Sequence, residues 1–124
     1  MIKILWIFLG GGIGAISRYW LSLGIYRLVG TGFPYGTLVV NILGCFFIGL
    51  WMTMFEDRFL VNPNLRLFLI IGILGGFTTF SSFSFETISL LQEGSYFLGM
   101  GNILLSVFVC LTATWLGHLL GKLI

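Results

Sequence analysis

The chain has 124 residues, of which 58% are hydrophobic and 8% charged, with a net charge of +2 and a mean hydropathy of +1.10. A soluble domain carries about 25% charged residues, so so few charges cannot cover a water-facing surface, and +2 is too small a balance for a nucleic-acid partner. What remains is an all-α integral membrane protein, expected to form a single domain over residues 1–124.

The first span runs from Ile4 to about Tyr26 and is apolar apart from Arg18. It is too long for a signal peptide, and the arginine and the lack of a small-x-small cleavage site argue the same way. Three stretches then contain no Asp, Glu, Lys or Arg: Leu28 to Phe55, Leu67 to Phe85 and Gly94 to Gly121. Crossing a bilayer core takes roughly 20 helical residues, so the chain predicts four transmembrane helices. None shows the alternation of a barrel strand.

Connections are short. "VGTGFP" (Val29 to Pro34) joins the first two spans, "EDRFLVNPN" (Glu56 to Asn64) the second and third, and "QEGS" (Gln92 to Ser95) the last two. They leave no room for a water-soluble catalytic domain. Four spans put both termini on one side, with Lys3, Arg58, Arg66 and Lys122, against Arg27 on the other. That bias leans toward cytoplasmic termini by two or three charges. "GGGIGA" (Gly10 to Ala15) and the pairs Gly44/Gly49 and Gly117/Gly121 put small residues on helix faces, where they allow close helix packing.

Polar residues at mid-membrane depth carry the functional information. Thr37, Asn41 and Cys45 share one face of the second span. Asn102, Ser106, Cys110, Thr114 and His118 make the same four-residue row on the fourth. Ser81 and Ser84 stand beside Phe80 and Phe83 in the third. One such residue is ordinary interhelical glue. Two rows together point to a polar pathway. Cys45 and Cys110 read as small buried residues and not as a disulfide or metal pair.

The sign of the passenger follows from the donors. The rows hold hydroxyls and amides, with Arg18 as the one intramembrane cation, while Glu86 sits toward one end of its span. A proton or cation route normally shows a buried acid. Donors without acids favour an anion or a small neutral solute. Aromatic rings have a positive edge, so Phe80 and Phe83 could present edges to an anion that has shed its water. In the same span Gly75, Gly76, Thr78 and Thr79 weaken the helix and predict a mid-membrane break. Unwound carbonyls coordinate cations, and the following half-helix N-terminus favours an anion.

"GGxGAxxRY", "PYGTLVVNILGCFFIG" and "GGFTTFSSFSFE" resemble the small bacterial fluoride channels of the Fluc, or CrcB-type, family, in order and spacing over nearly the whole chain. The resemblance implies a passive fluoride-selective channel in the bacterial inner membrane, not an enzyme, exporting cytoplasmic fluoride and so relieving its toxicity. It implies an antiparallel, dual-topology homodimer in the lipid bilayer, with two pores along the interface. By position it makes Phe80 and Phe83 the aromatic pair contacting fluoride and Asn41 the pore-lining amide. Ser81, Ser84, Thr37, Ser106 and Thr114 become hydroxyls of the polar route. It gives the carbonyls of Gly75 and Thr78, from both subunits, to a structural sodium ion, and makes Arg18 and Glu86 supporting charges. Cys110 departs from the pattern, standing where a hydroxyl is expected. The rival readings are a small dimeric exporter of cationic drugs, which would need an acid in the first span, and a purely structural membrane subunit.

Overall fold

The structure, a computed structural model, describes residues 1–57 and 62–124. Four helical spans follow from the apolar runs: Ile2–Val29 (α1), Tyr35–Asp57 (α2), the composite span Pro63–Gln92, and Tyr96–Leu123 (α6). Each is long and apolar enough to cross a membrane. With four such spans the chain is a multi-pass membrane protein. Arg58, part of the charge count above, lies outside the described residues.

The connections end the helices through specific backbone chemistry. Gly30 closes α1 at φ +85°, a left-handed conformation that glycine adopts without a Cβ clash, and its N–H returns to the Tyr26 carbonyl. Pro34 precedes α2 and accepts its early N–H from Leu38, a role that needs no N–H of its own. Gly94, at φ +84°, makes the sharp turn before α6.

The third span is built in pieces. A short turn, Pro63–Arg66 (α3), is capped by the Asn62 side chain, which accepts from the Asn64 N–H at 2.8 Å. Leu67–Leu74 then winds wider, as a π-helix, and the Gly75 N–H reaches back to the Ile70 carbonyl, five residues away. Gly75–Phe77 (α4) completes the first half. Thr78 and Thr79 are extended, and Phe80–Gln92 (α5) begins anew.

The expected break is therefore present, and its position corrects the reading of the glycines. Gly75 and Gly76 are helical, and the chain opens only at the two threonines. Gly76 serves packing: a Cβ there would meet the Gly11 carbonyl oxygen at 2.5 Å.

Small residues set the architecture as two closely packed pairs. A Cβ at Gly10 or Gly14 of α1 would land on the carbonyls of Phe68 or Ile73, so α1 lies directly on the first half of the third span. A Cβ at Gly49 would land on the Thr114 carbonyl, and one at Gly117 on the Phe46 carbonyl, so α2 and α6 also touch backbone to backbone. Both pairs join alternate spans and so run parallel. Two of the α2–α6 contacts pair residues 65 apart. Thr53 bonds His118 at 2.7 Å and Gly49 meets Thr114; one and two turns earlier the same spacing gives Cys45 and Cys110, then Asn41 and Ser106, and all four line one groove. The two polar rows read from the sequence are thus one seam. Around these contacts most of the apolar surface points outward, including Phe8, Trp20, Phe97 and Leu123.

Gly49→Ala should lower the thermal unfolding midpoint in detergent, because a methyl driven into the Thr114 carbonyl costs about 1–3 kcal/mol in overpacking. Gly24→Ala is the matched comparison. Its Cβ meets nothing within 4 Å, and alanine is the better helix former by about 1 kcal/mol, so its midpoint should hold or rise. Equal behaviour of the two variants would contradict the close α2–α6 contact.

Candidate functional site

A break in a membrane helix releases backbone donors and acceptors that water cannot reach, and each must find a partner. Here the partners come from three directions. From α2, the Asn41 amide grips both backbone groups of Thr79. Its Nδ2 donates to the Thr79 carbonyl and its Oδ1 accepts the Thr79 N–H, each at 2.9 Å. From α1, Arg18 Nε donates to the Gly76 carbonyl at 3.2 Å. The threonines supply the rest. Thr78 returns both its N–H and its hydroxyl to the Leu74 carbonyl, at 3.0 and 2.9 Å. The Thr79 hydroxyl caps α5 by accepting the Ser82 N–H at 3.2 Å.

One turn beyond Asn41, Gly44 has no side chain, and the Thr78 methyl occupies the space where a Cβ would stand. Asn41 and Gly44 together form the seat of the break. The residue types follow from this geometry. A carboxamide is a small neutral side chain that offers an N–H donor and a carbonyl acceptor side by side, matching the carbonyl and N–H of one residue.

This clamp frees two particular carbonyls. In an unbroken helix the Thr79 N–H would bond the Gly75 carbonyl, and the Ser82 N–H the Thr78 carbonyl. Asn41 takes the first N–H and the Thr79 hydroxyl the second. Gly75 and Thr78 are thus left as acceptors by construction.

Two hollows open on either side of Thr79, which lines both. One, of about 370 Å³, is lined by Asn41, Thr78, Phe80, Phe83, Ser106 and the two cysteines, with Val107 and Leu111. The Phe80 and Phe83 rings meet at 5.2 Å between centroids, inclined by 49°. Phe80 is 78% exposed in the single chain, so this hollow is an open groove. The other, of about 600 Å³, is lined by Arg18, Tyr26, Thr37, Ser81, Ser82, Glu86 and neighbours. In it the Tyr26 hydroxyl donates to Glu86 Oε2 at 3.1 Å.

The structure sorts the residues singled out from the sequence. Phe80, Phe83, Asn41 and Ser106 share the groove, while Arg18, Thr37, Ser81 and Glu86 share the second hollow. Ser84 and Thr114 line neither. Thr114 lies instead at the α2–α6 contact. Thr37 leaves the side of Asn41 because a four-residue row drifts around a helix by about 40° per step.

Three features escaped the sequence reading. Thr79 acts through its backbone, which no side-chain pattern reports. The sequence marks Tyr26 only as the end of the first span. Thr87 donates to the Phe83 carbonyl at 2.7 Å and accepts from the buried Asn102 amide at 2.8 Å, bracing the turn that carries Phe83. Only the Asn102 half of that pair lay on a row.

Comparison with known proteins adds a second line. Residues 5–118 match the family model described as CrcB-like protein, Camphor Resistance (CrcB). Relatives called fluoride-specific ion channel FluC are similar over nearly their full lengths. That of Magnetococcus marinus is 47% identical over 123 residues, covering 99% of this chain and 100% of the relative. That of Geotalea uraniireducens is 49% identical over 122 residues, 98% of each. That of Geobacter sulfurreducens is 50% identical over 117 residues, 94% of each.

Asn41→Asp should loosen the break. A carboxylate can still accept the Thr79 N–H but sets a second oxygen against the Thr79 carbonyl, orphaning an acceptor at about 1–3 kcal/mol. Amide exchange of the peptide spanning Thr78 to Ser82, followed by mass spectrometry, should speed up by roughly ten- to a hundredfold, the kinetic equivalent of that cost. Unchanged protection would mean that Asn41 does not hold the break.

Proposed function

The chain belongs to the CrcB-like family, and from that membership we propose that it is a fluoride-selective channel through which cytoplasmic fluoride leaves the cell passively. The observation that carries this reading is the groove that puts the tilted Phe80–Phe83 pair beside the Asn41 amide and the Ser106 hydroxyl. The FluC names of the relatives point to fluoride as the passenger.

The chemistry is dehydration without loss. Moving a bare anion into a low dielectric costs on the order of tens of kcal/mol, so each displaced water must be replaced by a donor or a ring edge. The second hollow, with Arg18, Thr37 and Ser81, is a polar antechamber on the other side of Thr79, and the groove is the narrow stretch. Asn41 serves by fixing the wall. Its amide is occupied by the Thr79 peptide, and one N–H of Nδ2 is left for the groove. Glu86, tied to Tyr26, stands beside the route and supplies no donor while ionised. Hydrogen fluoride enters from acidic surroundings and ionises at cytoplasmic pH. The inside-negative potential then drives the anion outward.

A second copy completes the site in this reading. The groove is open along Phe80 in the single chain, and an antiparallel homodimer meeting through the broken spans would roof it. The same dimer would bring together four carbonyls, from Gly75 and Thr78 of each chain. Their release by the Asn41 and Thr79 caps fits a sodium ion, a hard cation suited to carbonyl oxygens. The ion would hold two half-helices in register and stay in place while fluoride passes. The rival exporter of cationic drugs lacks its mid-membrane acid. The structural-subunit reading leaves the polar groove without a purpose.

Phe80→Ile and Phe83→Ile should each lower the initial rate of fluoride efflux from liposomes at least tenfold while leaving the detergent-purified protein folded, because isoleucine keeps bulk and removes the ring quadrupole. Phe47→Ile, a change on α2 outside the groove, should conduct as wild type. Full flux in both groove variants would reduce the rings to packing.

A further inference from the structure

Cys45 and Cys110 are the one pair in the α2–α6 seam that neither packing nor the fluoride route accounts for. Both are half-buried, both line the groove, and neither is in a disulfide. The 65-residue spacing of the Thr53–His118 and Gly49–Thr114 contacts places them level with each other across the α2–α6 seam, and both line the same groove. The backbones around them are held at short range by the Gly49–Thr114 contact one turn on and by that of Phe46, next to Cys45, with Gly117. Two thiols are therefore presented side by side on a rigid frame, facing an opening.

We propose that Cys45 and Cys110 form a two-thiolate site for a soft, two-coordinate metal cation, of which Hg2+ is the simplest case. Thiolates select soft metals over hard ones. Among the described residues no cluster of three or more His, Cys, Asp or Glu surrounds the pair, so a four-coordinate zinc site is not available, while a linear ion needs two ligands alone. Charge favours a divalent ion. One Hg2+ and two thiolates sum to zero, which a low-dielectric seam accepts where an isolated charge would be expelled. The step balances simply. HgCl2 exchanges two Hg–Cl bonds for two Hg–S bonds, and two chloride ions and the two thiol protons leave for bulk water. Nothing is oxidised or reduced. Binding is independent of the fluoride reading. Only the consequence for flux rests on it, because the seated ion would stand beside Phe80, Phe83 and Ser106.

The test is a titration of the purified full chain with HgCl2 alone, read by the Hg–thiolate charge-transfer absorbance in the ultraviolet. Saturation is expected at one equivalent per chain, with the band running as a single chain on a non-reducing gel. Cys45→Ser and Cys110→Ser, near-isosteric changes, should each release the metal at about a hundredfold lower concentration of a competing monothiol, since the second thiolate no longer acts at high local concentration. Saturation at two equivalents, a mercury-linked two-chain band, or single variants that retain Hg2+ as firmly as wild type would overturn the site. Fluoride efflux is measured on the same samples. One equivalent should block the wild type and spare the double serine variant. Tight one-to-one binding with undiminished flux would uphold the metal site and overturn the groove as the fluoride path.

Discussion

The fold turns on how the backbone N–H and carbonyl of one residue, Thr79, are satisfied inside a membrane. Thr78 and Thr79 are extended and the chain becomes helical again only at Phe80, so the Thr79 N–H has no partner within its own helix and must find one elsewhere. The Asn41 side chain meets its N–H and its carbonyl together. That exchange permits the break. The break starts α5 anew at Phe80, frees the Gly75 and Thr78 carbonyls, and leaves Phe80 and Phe83 lining the groove. Glycine at position 44 is the steric counterpart, since any larger residue there would push Thr78 away.

Helix packing supplies the rigidity that the clamp requires. An amide–peptide pair at 2.9 Å holds only if α2 and the third span cannot slide. The α1 contact through Gly10, Gly14 and Gly76 fixes the first half of the span. The Thr87–Asn102 bond ties the second half to α6, and α6 is in turn locked to α2 through Gly49 and Gly117. Arg18 couples the two systems by reaching from α1 to the Gly76 carbonyl at the end of the first half. A lone membrane arginine is costly, and this one pairs with a backbone acceptor and faces a polar hollow.

Hydropathy alone made the four spans readable, because twenty apolar residues in a row admit few alternatives. The polar rows were equally plain, since spacing by four fixes a face. Their partners were not. Asn41 read as a wall of the pore, and its bond to Thr79 depends on where a distant helix breaks. The break was assigned partly to Gly75 and Gly76 on helix propensity, but both stay helical, Gly76 packed against Gly11 of α1, and the opening falls at the β-branched pair. The π-helical stretch Leu67–Leu74 left no trace in an unbroken apolar run. The 65-residue register that merges two rows into one seam is tertiary information, and with it Cys45 and Cys110 change from two buried small residues into a facing pair.

The central claim is that this seam and break select fluoride. It is tested most directly with purified wild-type protein in liposomes loaded with equal potassium fluoride and potassium chloride, with valinomycin added to carry the balancing potassium. Fluoride and chloride electrodes then follow both anions at once. The expected result is rapid loss of fluoride with chloride retained at the level of protein-free liposomes. Equal loss of the two anions, or fluoride held as tightly as in empty liposomes, would contradict it.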